Sequence, residues 1–211
     1  MASRKLATAE PETIDLWQSA KRQVIQQAVV RLMCREGLDN VTMERVANEA
    51  GIAKGTLYLH YRDKQELLDA VKESSLAPMV EKMDEVLHGS ATPDRKIQLY
   101  ALRYLDWFDE RRDLFRILIY ERESVRVHGA RYTSDRYRHL VQQVAKVITD
   151  GIRKGIFRDV DAHTVATMFV ESNFSIVNQR LLTARPAPVE DDAELISSVF
   201  LRGIRAGRGA K

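Results

Sequence analysis

Only one cysteine, Cys34, occurs in the 211 residues, so the chain cannot hold an internal disulfide. No Cys/His cluster with metal-ligand spacing accompanies it, and the five histidines are scattered. No run approaches the 18 or so apolar residues that a membrane span requires. The first residues, "MASRKLATAEPETIDLW", lack the apolar stretch of a secretory signal. These absences point to a reducing cytoplasm and to no membrane partner. Convincing strand or hairpin patterns are also missing, as are internal repeats. No nucleophile motif and no phosphate loop is visible. No catalytic residue, metal or cofactor is therefore expected.

What remains is a charged helical protein. Hydrophobic residues make up 45% and charged residues 30%, ordinary for a globular chain, and the net charge of +3 permits a polyanionic partner without demanding one. Residues 1–15 are polar and are expected to form a flexible arm. Ile25, Ala28, Val29, Leu32 and also Val24 mark one face of a helix from Trp17 to Glu36, which Gly37 closes. Thr42 can cap a short helix through Ala50, with Val46 and Ala47 inward, and Gly51 suits a left-handed stop. Asp63 and Glu66 form a capping box for a long helix from Lys64 to about Leu87, carrying Leu67, Leu68, Val71 and Leu76. After the loop "HGSATPD", helices are predicted near 94–109, 111–127, 134–154, 161–183 and 189–206. The expectation is an all-α chain of about nine helices.

The stretch "GIAKGTLYLHYRDKQEL", residues 51–67, poses the sharpest question. It stops one helix on a glycine and starts another, barely two turns long, with a second glycine inside it. A helix that short is marginal alone. Two helices separated by "AGIA" have helix-turn-helix spacing. On a wheel of about 100° per residue, Leu57 and Tyr61 fall together and would pack inward. Gly55 and Leu59 then project outward, flanked by Thr56 and Tyr58, with Lys54, His60, Arg62 and Lys64 around them. A helix lying in a major groove wants close backbone approach, an apolar contact for a thymine methyl, and donors for bases and phosphates. Gly55 costs roughly 1 kcal/mol of helix propensity, which close approach to DNA would explain.

The segment "VTMERVANEAGIAKGTLYLHYRDKQELLDAV" resembles the DNA-binding segment of the tetracycline-repressor (TetR) family, without gaps from about Val24 to Val71. More weakly, "GIRKGIFRDVDAHTVATMF" is similar to the junction between that family's last three helices. One departure is Ala53, where the family usually carries a Ser or Thr cap worth about 1 kcal/mol. The resemblance implies an N-terminal three-helix helix-turn-helix domain (16–63), a connecting helix (64–87) and a C-terminal helical ligand-binding and dimerisation domain (88–211). It implies that Thr42, Tyr58, His60 and Lys64 hold the DNA backbone, and that Lys54, Gly55, Thr56, Tyr58 and Leu59 face bases. Lys64 at a helix start opposes the dipole, which favours a phosphate role. Arg45 and Arg62 read as solvated charges, and Arg4 and Lys5 as a plain tail rather than a minor-groove arm.

Behind residue 80, aromatics recur at helical spacing and read first as packed core. The resemblance adds that Tyr104, Trp107, Phe108 and Phe169 line an apolar effector cavity. Glu171, Asn173, Asn178 and Gln179 either orient a ligand there or lie on an exposed side. "ERRD" (110–113) and "YERESVR" (120–126) read as solvated faces, and Cys34 as a buried small residue. The last two helices are apolar on two sides: Val170, Phe174, Val177 and Leu181 on one, Val199 and Phe200 on the other. A helix apolar on two sides needs two neighbours. The family's symmetric four-helix dimer interface would supply the second.

The leading expectation is a homodimeric regulator that binds a palindromic double-stranded DNA operator and is released by a small, largely apolar effector. Two other classes compete: a DNA-binding protein that needs no effector, and a helical enzyme using the rear cavity. Sequence-specific binding to its own promoter DNA favours the first, uniform binding the second, and no DNA binding the third.

Overall fold

A computed structural model describes residues 11–120 and 135–206. Among the described residues there are nine helices: α1 (Pro11–Glu36), α2 (Met43–Glu49), α3 (Lys54–His60), α4 (Lys64–His88), α5 (Pro93–Asp109), α6 (Arg112–Tyr120), α7 (Asp135–Arg153), α8 (Ala162–Leu182) and α9 (Val189–Ile204). They gather into two compact units, one up to Ser75 and one from Leu76 onward. The division falls inside α4, so the long helix is shared between the units rather than forming a separate linker. It also runs through Pro78, whose missing N–H removes the donor that would reach the Ser74 carbonyl and weakens the helix there.

In the first unit, Ile25, Ala28, Val29, Leu32 and Met33 of α1 are buried with Val46 and Ala47 of α2, Leu57 of α3, and Leu67 and Val71 of α4. Each of the larger side chains, the alanines excepted, stabilises the fold by about 1.5–3 kcal/mol relative to exposure. The predicted helix stops hold: Gly37 and Gly51 have φ of 80° and 66°. At the start of α4, Asp63 Oδ1 accepts from the Glu66 amide at 2.8 Å, while the Glu66 carboxylate reaches back to the Arg62 amide at 2.7 Å, one residue earlier than a standard capping box. Arg31 and Arg35 brace α1 to Glu49 of α2 at 3.0 and 2.9 Å, and Arg45 of α2 pairs with Glu36.

Three expectations for α1 need correction. The helix begins at Pro11, so part of the predicted arm is helical. Val24 is 45% exposed because it falls roughly 110° from the centre of the apolar stripe. Cys34 is exposed, being about 180° around the helix from Ile25, with Met33 taking the inward position instead. Arg4, Lys5 and the residues 121–126 of "YERESVR" lie outside the described residues.

In the second unit α5 packs mainly on α9, and α7 on α8. Tyr100, Ala101, Tyr104, Leu105 and Phe108 of α5 are buried at helical spacing. Gly151 closes α7 against the ring of Phe157: a Cβ there would stand 2.1 Å from Phe157 Cδ2. Residues 156–158 then pair with the chain end of α9, the Arg158 amide donating to the Ile204 carbonyl at 2.8 Å and the Ala206 amide to Ile156 at 3.1 Å. Leu76, predicted inward on α4, is half-buried, whereas Met79, Met83 and Leu87 are buried.

Candidate nucleic-acid interface

The turn between α2 and α3 is closed by backbone bonds: the Ala50 amide to Val46 at 2.8 Å, Gly51 to Asn48 at 3.1 Å and Ile52 to Ala47 at 3.0 Å. Thr42 caps α2, its Oγ1 accepting from the Arg45 amide at 3.3 Å, and stays exposed. Ala53 stands at the start of α3 with no side-chain cap. A seven-residue helix without a cap holds its place through two inward side chains. Leu57 is fully buried and Tyr61 nearly so, and the Tyr61 hydroxyl accepts from Gln26 Nε2 of α1 at 3.0 Å.

The outer face of α3 is bare. Leu59 is 85% exposed and Tyr58 47%. No atom lies within 4 Å of where a Cβ on Gly55 would stand, and this glycine has no positive φ. The fold therefore has no internal use for a glycine there. Lys54 is exposed beside it and Thr56 half-buried. Leu59 and Tyr58 thus form a small exposed apolar patch beside the open space at Gly55.

Around that face, positive charge comes from more than one helix. His60, half-buried at the end of α3, is held below the usual histidine range, first by burial and then by the charges of Arg22 and Lys21 on α1. Arg22 is exposed and Lys21 sits with its ammonium 3.5 Å above the exposed Trp17 ring. These two cations join the basic surface, although nothing in the linear pattern of α1 sets them apart. The Lys64 ammonium donates to the Leu38 carbonyl at 3.0 Å. That bond supplies a structural reason for a cation at the start of α4 and uses one of its three N–H donors. Arg62 is largely exposed, pairing with Asp63 at 3.1 Å. Arg45, expected to be solvated, is used internally by Glu36 and the Asn40 carbonyl.

The residues expected to line an effector cavity, Tyr104, Trp107, Phe108 and Phe169, are all buried, but they are packed ring on ring. Tyr104 and Phe108 lie 5.0 Å apart, Trp107 and Phe108 5.2 Å, and Tyr100 and Phe169 5.4 Å. The narrow cleft between Leu105, Phe108, Val177 and Leu181 has no room for a water-sized molecule. Of the polar residues on α8, Asn173 is wholly buried, Gln179 is exposed, and Glu171 and Asn178 are half-buried.

The dimerisation residues also need correction. Val170, Val177 and Leu181 are buried within the chain's own core, where α5 and α7 already cover them. Phe174 and Phe200 are half-buried, and Phe200 meets Phe169 edge-on at 5.2 Å. Only Val199, at 60% exposure, faces outward as expected. Met168, Leu182 and Leu195 are the other large apolar side chains exposed on α8 and α9.

A buried arginine was equally unexpected. Arg180 of α8 is 5% exposed, pairs with Asp109 at 3.1 Å and with Asp192 of α9, and donates to the Ala187 carbonyl at 2.9 Å. Arg112 bonds the Arg180 carbonyl at 2.8 Å. Two arginines and two aspartates thus tie together the ends of α5, α6, α8 and α9. Among the described residues no helix is long and apolar enough to cross a membrane, and no group of three or more His, Cys, Asp or Glu is placed to hold a metal.

Two family models match the chain. The one described as bacterial regulatory proteins, tetR family, covers residues 25–71, and a tetracyclin repressor-like, C-terminal domain covers residues 90–177. The chain is 21% identical over 186 residues to the HTH-type transcriptional regulator YhgD of Bacillus subtilis, spanning 88% of this chain and 97% of that protein. A TetR transcription regulator from Haloarcula marismortui shares the fold with a TM-score of 0.72 and 24% identity, over 89% of this chain and 99% of that one. The regulator FadR from Bacillus subtilis, solved in complex with stearoyl-CoA, aligns with a TM-score of 0.72 and 17% identity, over 87% and 99% of the two chains. With the helix-turn-helix and the rear helical unit each matched by its own model, the chain belongs to the TetR family of DNA-binding transcriptional regulators.

Proposed function

We propose that the protein is a cytoplasmic homodimeric repressor that leaves a palindromic operator when a small, largely apolar effector binds. The observation that carries this reading is the outer face of α3, where Leu59 and Tyr58 stand exposed beside an unfilled gap at Gly55. In this reading Lys54, Gly55, Thr56, Tyr58 and Leu59 meet base edges, and Thr42, Tyr58, His60 and Lys64 meet phosphates, joined by Lys21 and Arg22. The helix-turn-helix of residues 16–63 reads the DNA, the helix of residues 64–87 transmits, and residues 88–211 bind the effector and the second subunit. Met168, Leu182, Leu195 and Val199 form the exposed part of the dimer face, with Phe174 and Phe200 at its edge. Two half-sites about one helical turn apart then gain from effective concentration.

FadR, solved with stearoyl-CoA, accommodates a long apolar acyl chain beside a charged coenzyme A group, and the acyl chain supports an apolar part in the effector. Such an effector must bind two states of the dimer with different affinity, and coupling of about 1–3 kcal/mol gives roughly a 5- to 150-fold change in operator affinity. The closed packing of the rings favours one competing reading, a DNA-binding protein that needs no effector. Anisotropy titration with DNA from the chain's own promoter region tests the first step. Saturable binding that exceeds non-specific DNA by at least about 10³-fold at physiological salt is expected. Val199→Glu should yield a monomer by light scattering and lose that affinity. Uniform affinity for all DNA, or tight operator binding by a monomer, contradicts the reading.

A further inference from the structure

The ring cluster of the second unit contains two polar atoms that no group among the described residues satisfies. Tyr100 is wholly buried and its hydroxyl meets no hydrogen-bonding group. Asn173, also wholly buried, donates Nδ2 to the Phe169 carbonyl at 2.8 Å, which leaves its Oδ1 without a donor. Both residues adjoin Phe169, Tyr100 through its ring and Asn173 through the Phe169 carbonyl. Phe169 lies 5.4 Å from the Tyr100 ring and one helical turn before Asn173 on the same face of α8. Buried polar atoms in native proteins are nearly always paired, and each exception calls for an explanation.

We propose that Tyr100 Oη and Asn173 Oδ1 recognise the hydroxyl group of a neutral, flat ring compound that enters the Tyr100–Tyr104–Phe169 cluster. The chemistry follows from what the two atoms offer. Asn173 Oδ1 can only accept, so the guest must donate; Tyr100 can donate, so the same guest oxygen can accept. A hydroxyl group does both at once. Burial first, then Tyr104 and the Asp84 carboxylate, keep Tyr100 protonated and able to donate. The same surroundings disfavour an anion. Asp84 is near and is held by His139 at 2.8 Å, and Arg180, two turns along α8, is already claimed by Asp109 and Asp192.

The walls are rings. Tyr100 and Tyr104 are stacked 5.6 Å apart at 11°, and Phe200 meets Phe169 edge-on. A flat guest keeps stacked and edge-on contacts with such walls, which a branched chain does not. The cluster is closed, so the rings must part for a guest. The two unsatisfied atoms offset part of that cost, because the guest provides the bonds that the closed state lacks. This inference rests on the effector reading above and narrows it to one polar group of one kind.

Thermal unfolding of the full chain tests it with phenol, 1-naphthol and 4-phenylphenol, the methyl ether of each, and 1-naphthoate. At least one alcohol should raise Tm with concentration, as a ligand of the native state does. Its ether can accept from Tyr100 but cannot donate to Asn173, and should bind roughly five- to tenfold more weakly, the worth of one buried hydrogen bond. Naphthoate should leave Tm unchanged. Tyr100→Phe and Asn173→Leu should melt no lower than the parent; Asn173→Leu should lose the preference for alcohol over ether, whereas Tyr100→Phe should weaken alcohol and ether alike and keep it. The proposal is overturned if no alcohol raises Tm, if alcohol and ether bind alike, or if naphthoate binds as well. It is equally overturned if the preference survives in Asn173→Leu, if Tyr100→Phe binds the alcohol as tightly as the parent, or if Tyr100→Phe melts lower, which would mean that ordered water already satisfies the hydroxyl. Operator binding measured alongside separates the two readings. Alcohol binding without release of DNA leaves the recognition standing and removes the switch.

Discussion

Gly55→Ala separates what the fold wants from what DNA wants. The added methyl meets nothing within 4 Å in the free protein, and the backbone there has no positive φ. Its only effect on the free chain is helix propensity. In a helix interior that is worth about 1 kcal/mol, and in the first turn of a seven-residue helix about half as much. A gain of about 0.5–1 kcal/mol raises Tm by roughly 1–4 °C for a chain of this size. On the operator the same methyl occupies the gap through which the backbone approaches the bases. Overfilling a closely packed contact costs about 1–3 kcal/mol, a loss of roughly 5- to 150-fold in affinity. The variant should therefore be more stable and bind worse. Circular-dichroism melting and operator anisotropy at one fixed salt concentration measure both. Unchanged operator affinity refutes the assignment of this face to DNA, and a lower Tm refutes the open geometry at Gly55.

Lys64→Met should weaken binding to every sequence and make the salt dependence shallower by about one unit, as for one lost phosphate contact. It should also cost about 1 kcal/mol of stability through the lost bond to Leu38, so the salt slope and not affinity alone is the readout. His60 is held below its usual range in the free protein, so protonation opposes the fold. Its contribution to stability is present above the ordinary histidine value and is lost as pH falls through the lowered one. A nearby phosphate favours the protonated ring, so operator binding should take up a proton and tighten as pH falls from about 8 towards 6. His60→Gln should flatten that pH dependence in titrations across the same window. Arg180→Met leaves Asp109 and Asp192 without their buried partner and should destabilise by about 3 kcal/mol, at the low end for a broken buried pair because both carboxylates reach solvent. Urea unfolding of Arg180→Met beside the triple variant with Asp109→Asn and Asp192→Asn should show partial recovery in the latter, and no loss in the single variant would contradict the pairing.

Local signals in the chain settled the front unit before any tertiary contact was known. Gly37, Gly51, Thr42 and the Asp63–Glu66 pair end and begin helices through their own backbone preferences and short-range bonds. A wheel of α3 suffices to place Leu57 and Tyr61 inside and Leu59 outside, since that helix has one buried side. The same reasoning failed in α8 and α9. Val170, Val177 and Leu181 are as apolar as Met168, Leu182 and Leu195, and a helix apolar nearly all round carries no mark saying which side its own chain covers. Packing against α5 and α7 made that choice. Long-range partners were beyond sequence for a related reason. The Lys64 ammonium finds a carbonyl 26 residues away, and Arg180 meets an aspartate 71 residues away. Periodicity shows that a face is apolar or charged, but the neighbour that takes up the charge is decided only when the helices pack.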